Sequence, residues 1–238
     1  MKPDFNFKQF SIRHDKCAMK VSTDGILLGA WAKPAQSQAI LDIGTGTGLL
    51  ALMMAQQMCA NAQVTAVEID GDAFEQAQQN VSNSPWQNRV KVFHQDVLNW
   101  VNTAQNKFDH IICNPPYFSD NLLGVDGKRN MARHNNHLSF ESLLKAAESI
   151  AEQQAEFCLI LPLSERERFI QACQVCKWNE VEQVEVWNHQ GGKPIRFLTR
   201  LSMNKTTELR NNQIYIRDKR GSYTDTYKSI CGDFYLKF

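Results

Sequence analysis

From residue 38 to about residue 187, short apolar runs alternate with stretches whose apolar residues recur every three or four positions. This alternation constrains the fold more than any other feature. Gln38 to Ile43 reads as a buried strand, Thr47 to Cys59 as an apolar helix and Gln63 to Glu68 as a second strand. Asp70 to Asn80 is a predicted helix with Ala73, Ala77 and Val81 on one face. Arg89 to Phe93 and Lys107 to Cys113 supply two more strands. A helix capped at Ser139 places Phe140, Leu143, Leu144, Ala147, Ile150 and Ala151 together. Glu156 to Leu161 is continuously apolar, as a strand covered on both faces must be. Ser164-x-x-Glu167 reads as a capping box for the next helix. Val181 to Trp187 and Ile195 to Met203 alternate more clearly, as strands near one edge joined by Gly191-Gly192-Lys193-Pro194. Strands alternating with helices predict an α/β fold, a doubly wound and mostly parallel sheet. Before it, Thr23 or Asp24 is the expected cap of a short apolar helix that stops before Pro34. After it, residues 204–238 read as an appended strand and helix.

Several classes are disfavoured. No stretch of the 238 residues is long and apolar enough to span a bilayer, and Met1 to Lys16 has no apolar leader core, so a soluble cytosolic protein is expected. Seven scattered cysteines argue against a disulfide framework. Cys173-x-x-Cys176 has no second pair or nearby His, so two core thiols are expected there and no metal. Charge is segregated. Residues 1–35 carry six Lys/Arg against three Asp/Glu, and 191–238 carry ten against four. Residues 36–190 carry ten against eighteen, so ends of net +9 flank a centre of −8. Such a split suits a polyanion gripped by the ends, or ordinary solvated surface. Phe5, Phe7 and Phe10, interleaved with Lys8 and Arg13, read either as a base-stacking surface or as a short strand.

Four motifs fall at successive strand ends, where open α/β sheets bind ligands. Asp42-Ile43-Gly44-Thr45-Gly46-Thr47-Gly48 turns the first strand into a helix. Its G-x-G-x-G spacing departs from the dinucleotide fingerprint, with Leu49 at the required final position, and disfavours a dehydrogenase. Glu68 ends the second strand, where a carboxylate can accept from ribose hydroxyls. Asp96, with Val97, follows the third and can take an adenine amino group. Asn114-Pro115-Pro116-Tyr117 follows the fourth. Two prolines cannot continue a ladder, so they make a stiff corner. That corner presents acceptors and a flat ring, suited to a planar –NH2; taken alone, it is equally a rigid turn.

Together these residues resemble the S-adenosylmethionine-dependent methyltransferases of the Rossmann-like class, over residues 38 to about 203. The last motif resembles the subset that methylates planar nitrogens. Ala18 to Ala32 and Ser84-Pro85-Trp86 are also similar to the bacterial tRNA adenine-N6 methyltransferases acting on the anticodon loop of a valine tRNA. The resemblance implies a seven-stranded sheet with one antiparallel strand near the edge. It implies a methyltransferase core over 36–203, an N-terminal segment (1–35) packed near the active site, and 204–238 as an extension of the same domain. It places S-adenosylmethionine against Asp42, Gly44, Gly46, Gly48, Glu68, Asp96 and Val97, with Thr23 and Asp24 closing over the cofactor or lining the acceptor pocket. Catalysis falls to Asn114, Pro115, Pro116 and Tyr117, acting on adenosine in tRNA.

For substrate binding, the stretch 118–137 contributes Lys128, Arg129 and Arg133 as an expected lid. Arg196, Arg200, Arg210, Arg217, Lys219 and Arg220 form a second expected phosphate-binding surface. A protein glutamine methyltransferase is the nearest competing expectation, because a planar amide fits the same corner. A non-catalytic RNA-binding module is the other.

Overall fold

A computed structural model of the chain describes residues 4–34, 36–116, 138–204 and 208–238. In chain order these form β1 (Phe5–Asn6), β2 (Ser11–Ile12), α1 (Thr23–Ala32), β3 (Ala39–Ile43), α2 (Leu49–Gln57), β4 (Gln63–Glu68) and α3 (Gly71–Ser82). Then follow β5 (Val90–His94), α4 (Val97–Trp100), β6 (Phe108–Cys113), α5 (Phe140–Ile150), β7 (Ala151–Pro162) and α6 (Arg166–Gln174). The chain ends with β8 (Asn179–His189), β9 (Pro194–Ser202), β10 (Arg210–Arg217) and α7 (Asp225–Cys231).

Eight strands form one sheet in the order β10-β8-β9-β7-β6-β3-β4-β5, and only β9 runs against the rest. The expected hairpin is β8–β9. The sheet has eight strands where seven were expected, because β8 leaves an edge along which β10 pairs in parallel, from Arg210 opposite Glu182 to Arg217 opposite His189. Strand pleating sends alternate residues to opposite faces. Ile40, Ile112 and Ile160 enter one core with α1 and α2, while Leu41, Ile111 and Leu159 enter the other with α5. Leu49 to Ala55 of α2 are all buried, as required of a helix pressed between the sheet and α1.

Three local expectations need correction. Ser22, not Thr23 or Asp24, caps α1: its backbone is extended and its Oγ accepts from Gly25 N at 3.2 Å. The Ser164/Glu167 capping box does not form. A 3₁₀ turn (Leu163–Glu165) follows directly on Pro162, and Glu165 at the cap position makes no side-chain cap bond, pairing instead with Arg168 at 3.0 Å. The N-terminal phenylalanines are not a base-stacking surface. Phe7 and Phe10 are buried and stacked at 4.5 Å, with Trp86 edge-on to Phe10, and Phe7 bridges to Tyr235 near the C-terminus. Cys173 is in the core, and no cluster of metal-ligating side chains exists among the described residues.

Candidate active site

Because β3, β4, β5 and β6 are parallel, the segments leaving them emerge at one edge of the sheet. There they enclose a cavity of about 480 Å³, within the range of small-molecule sites. Gly44–Thr47, Glu68–Asp70, Gln95–Leu98 and Asn114 with Pro116 each contribute wall, so all four motifs predicted from sequence meet in one place. A strap from the N-terminal segment supplies another wall, in which Cys17 to Lys20, Ser22 and Gly25 face the cavity, and Leu49, Leu50 and Ala73 close it from the helices.

The loop after β3 is shaped by Gly44 (φ 68°) and Gly46 (φ 57°). A Cβ at either would meet open space, so backbone conformation, not crowding, requires glycine here. The loop folds back on β4. Gly44 N donates to Val67 O at 2.9 Å and Gly46 N to Glu68 Oε2 at 2.7 Å. Gly48 lies outside the cavity wall, against Ala77 of α3.

Asp42 is wholly buried beneath this loop and does not line the cavity. Its Oδ2 accepts from Thr45 Oγ1 at 2.5 Å and from Ala51 N of α2 at 3.0 Å, while Oδ1 has no hydrogen-bond partner among the described residues. Burial pushes this carboxyl up to about 7, and the charge of Glu68 adds to the effect. Asp42 therefore ties the loop to α2 from below. Glu68 lies nearer the cavity. Its Oε2 is held by Gly46 N and its Oε1 accepts from Asp70 N at 2.9 Å, which leaves further lone pairs on both oxygens. Asp96 caps α4 through Leu98 N at 2.9 Å and lines the cavity with buried Val97. Ile69 and Leu98 offer apolar walls that remain 55% and 36% exposed.

At the end of β6, Asn114 is half-buried and lines the cavity, Pro115 is buried behind it and Pro116 is exposed at the wall. Asn114 Nδ2 approaches Met19 Sδ of the strap at 3.9 Å. A Cβ placed on Gly25 would come within 3.9 Å of the same nitrogen, so α1 begins directly against Asn114. Tyr117, Lys128, Arg129 and Arg133 lie outside the described residues.

Thr23 is exposed and Asp24 half-buried, and neither lines the cavity. Their neighbours Ser22 and Gly25 do, because the first turn of α1 faces its backbone inward. Asp24 Oδ2 instead accepts from Arg196 Nε at 2.8 Å. Four residues on, Arg200 Nη2 donates to Ala32 O at the other end of α1, and its guanidinium lies 4.8 Å above the Trp31 ring. Four strand residues span about 14 Å and eight helical residues about 12 Å, so one strand clamps both ends of the helix. Asp24 at the N-terminus and Arg200 at the C-terminus also complement the helix dipole. Arg200 is 8% exposed and bonded to Glu156 and Glu182, which removes it from any phosphate surface. Arg210 pairs with Glu182 at 3.3 Å. Arg217 donates to Gly221 O and stacks on Tyr223, beside exposed Lys219 and Arg220. Since β10 runs parallel to β6, this turn leaves the sheet at the cavity edge, four inter-strand spacings or about 19 Å away.

Comparison with known proteins agrees with this layout. The methyltransferase small domain matches residues 22–141. The chain is 42% identical over 234 residues to a tRNA1(Val) (adenine(37)-N6)-methyltransferase of Bacteroides thetaiotaomicron, covering 98% of each protein. It is 40% identical to the protein of the same name from Histophilus somni, covering 100% of this chain and 99% of that one. Among solved structures, a predicted O-methyltransferase of Agrobacterium tumefaciens shares the fold with a TM-score of 0.70 at 21% identity, over 89% of this chain and 96% of that one. An O-methyltransferase of Bacillus cereus in complex with SAH does so at 0.58 and 15% identity, over 79% and 84%. The chain belongs to the family of tRNA1(Val) (adenine(37)-N6)-methyltransferases.

Proposed function

We propose that this enzyme transfers the methyl group of S-adenosylmethionine to the exocyclic N6 of adenosine 37 of a valine tRNA, the reaction its full-length relatives are named for. The observation that carries this reading is the convergence of the acidic strand ends and the Asn114 corner on one cavity. The residues present fit the cofactor: a loop with open space above Gly44 and Gly46, and Glu68 at the cavity wall with lone pairs to spare. Bound there, the cofactor supplies an electrophilic methyl group on a sulfonium.

The chain's own residues do the rest. Glu68 would hold the cofactor through its ribose hydroxyls and Asp96 through its adenine amino group, with Ile69 and Leu98 as apolar wall beside them. The adenine amine of the acceptor is a weak nucleophile because its lone pair is delocalised into the ring. The Asn114 side-chain oxygen and the Pro115 carbonyl each accept one N–H, hold the nitrogen and favour its pyramidal form. Both acceptors also stabilise the positive charge that builds on that nitrogen, which then loses a proton to solvent. Tyr117, next in sequence, stacks on the base and fixes its line of approach. The base reaches the corner by leaving its stack, at a cost of a few kcal/mol.

Labelled S-adenosylmethionine incubated with total RNA and total protein from cells lacking the gene tests this. Label in N6-methyladenosine of the valine tRNA is expected, and label in protein alone overturns the proposal. Asn114→Ala is expected to lower kcat about 100-fold or more with the cofactor Kd little changed.

A further inference from the structure

The buried stripe of α3 holds two amides among its apolar residues: Gln76 and Asn80, 1% and 2% exposed. Asn80 is fully satisfied. Its Nδ2 donates to Arg13 O and to Thr47 O, both at 2.8 Å, and its Oδ1 accepts from Arg13 N at 2.9 Å. Gripping both backbone groups of Arg13, the side chain acts as a neighbouring strand would. One turn earlier, Gln76 Oε1 accepts from Lys16 N at 3.1 Å. The bonds to Arg13 and Lys16 fix the strap immediately before Cys17 and Met19, which face the cavity. The remaining bond of Asn80 goes to Thr47, inside the glycine loop. Asn80 therefore joins the cavity's loop wall to its strap wall while touching neither the cavity nor the reacting atoms.

We propose that Asn80, assisted by Gln76, is a positioning residue for cofactor binding: it holds the strap over the glycine loop and so keeps bound S-adenosylmethionine in place. The proposal rests on the cavity being the S-adenosylmethionine site. It predicts an effect on cofactor retention rather than on chemistry, because Asn114 and its proline corner stay attached to β6 when the clasp is cut.

The test compares Asn80→Ala and the milder Gln76→Ala with Val81→Ala, a change in the same buried stripe that leaves the clasp intact. Titration calorimetry with S-adenosylhomocysteine gives Kd, thermal melting gives stability, and amide exchange reports the Arg13 and Lys16 N–H groups. Asn80→Ala is expected to weaken binding about ten-fold, raise KM for S-adenosylmethionine in step and leave kcat within about two-fold. The Arg13 amide should exchange faster while those of α3 remain protected. Gln76→Ala should show the same pattern more weakly at Lys16, and Val81→Ala should lower the melting temperature without moving Kd. If the Asn80 variant loses no more affinity than Val81→Ala at equal loss of stability, the side chain is merely structural and the proposal fails. If the wild-type protein does not bind S-adenosylhomocysteine at all, the functional reading fails first.

Discussion

Two buried charged sites in this sheet are built in opposite ways. Between β7, β8 and β9, Arg200 meets Glu156 and Glu182, so charge is answered by charge. Under the cavity, Asp42 and Glu68 are answered by neutral groups: the Thr45 hydroxyl and the N–H groups of Ala51, Gly46 and Asp70. Neutral donors satisfy the hydrogen bonds of an acid but do not cancel its charge. The first site is therefore electrically closed and serves the fold, holding the C-terminus of α1. The second keeps a negative potential that a cationic ligand can use. Burial, and to a lesser extent the Glu68 charge, raises the pKa of Asp42. His110, beside the closed site, has its pKa held down to about 3 by burial and then by the Arg200 charge. It is neutral, so its 3.9 Å approach to Glu156 is no ion pair.

Breaking the closed site should have the largest effect. Arg200→Ala leaves Glu182 with Arg210 alone, gives half-exposed Glu156 back to solvent, orphans the Ala32 carbonyl and removes the packing on Trp31, and is expected to cost about 3 kcal/mol in urea unfolding. A cost under about 1 kcal/mol would show the network to be dispensable. Glu68→Gln tests the open site and should do the reverse, weakening S-adenosylhomocysteine binding by about 2 kcal/mol, or roughly 30-fold, with a smaller change in stability. Lost stability with unchanged affinity would make Glu68 a structural residue like Arg200 and erase the contrast.

Acid and base should separate the two sites in the ligand-free protein. Asp42 has its folded pKa raised from 3.8 to about 7, so the stability it contributes is complete below about pH 4 and is lost as pH rises towards 7. His110 is lowered from 6.5 to about 3, so its contribution is complete above about pH 6.5 and is lost as pH falls towards 3. Each group changes the slope of unfolding free energy by at most about 1.4 kcal/mol per pH unit. Asp42→Asn should remove the downward slope from pH 4 to 7, and His110→Leu the loss on acidification. Unfolding curves collected from pH 4 to 8 that are identical for wild type and both variants would show that neither group senses its surroundings in this way.

Much of this contrast was legible in the sequence, and the part that was not has a physical reason. β3, β4, β6 and β7 declare themselves because burial on both faces demands continuous apolar runs. The Gly44 and Gly46 loop declares itself because only glycine adopts its backbone cheaply. What side chains reach across the fold for is not written locally. Asp42 reads as a ligand contact, but the loop closes over it. Arg200 reads as a phosphate contact, but its place on β9 turns it onto the end of α1. Ser22, Thr23 and Asp24 are three consecutive capping residues, and the entry angle of the strap selects the first. Asn80 did leave a signal, an amide on the same helical stripe as Ala73, Ala77 and Val81. A polar group on a buried stripe implies a partner, though spacing could not name residue 13 as that partner.

The smallest expected effect lies at the far end of the cavity edge. The sequence placed positive charge at both ends of the chain, and much of it is occupied within the fold. Lys8 donates to Gly232 O, Lys16 pairs with Glu75, Arg196 with Asp24 and Arg210 with Glu182. Lys219 and Arg220 stand exposed on the turn after β10, on the cavity side of the sheet. If they contact phosphate, each alanine substitution should weaken tRNA binding modestly and lower the slope of log K against log salt by about one. The cofactor Kd should stay fixed, because the turn is about 19 Å from β6. An unchanged salt slope in the double variant would remove this turn from the tRNA surface. The tRNA would then have to be held elsewhere.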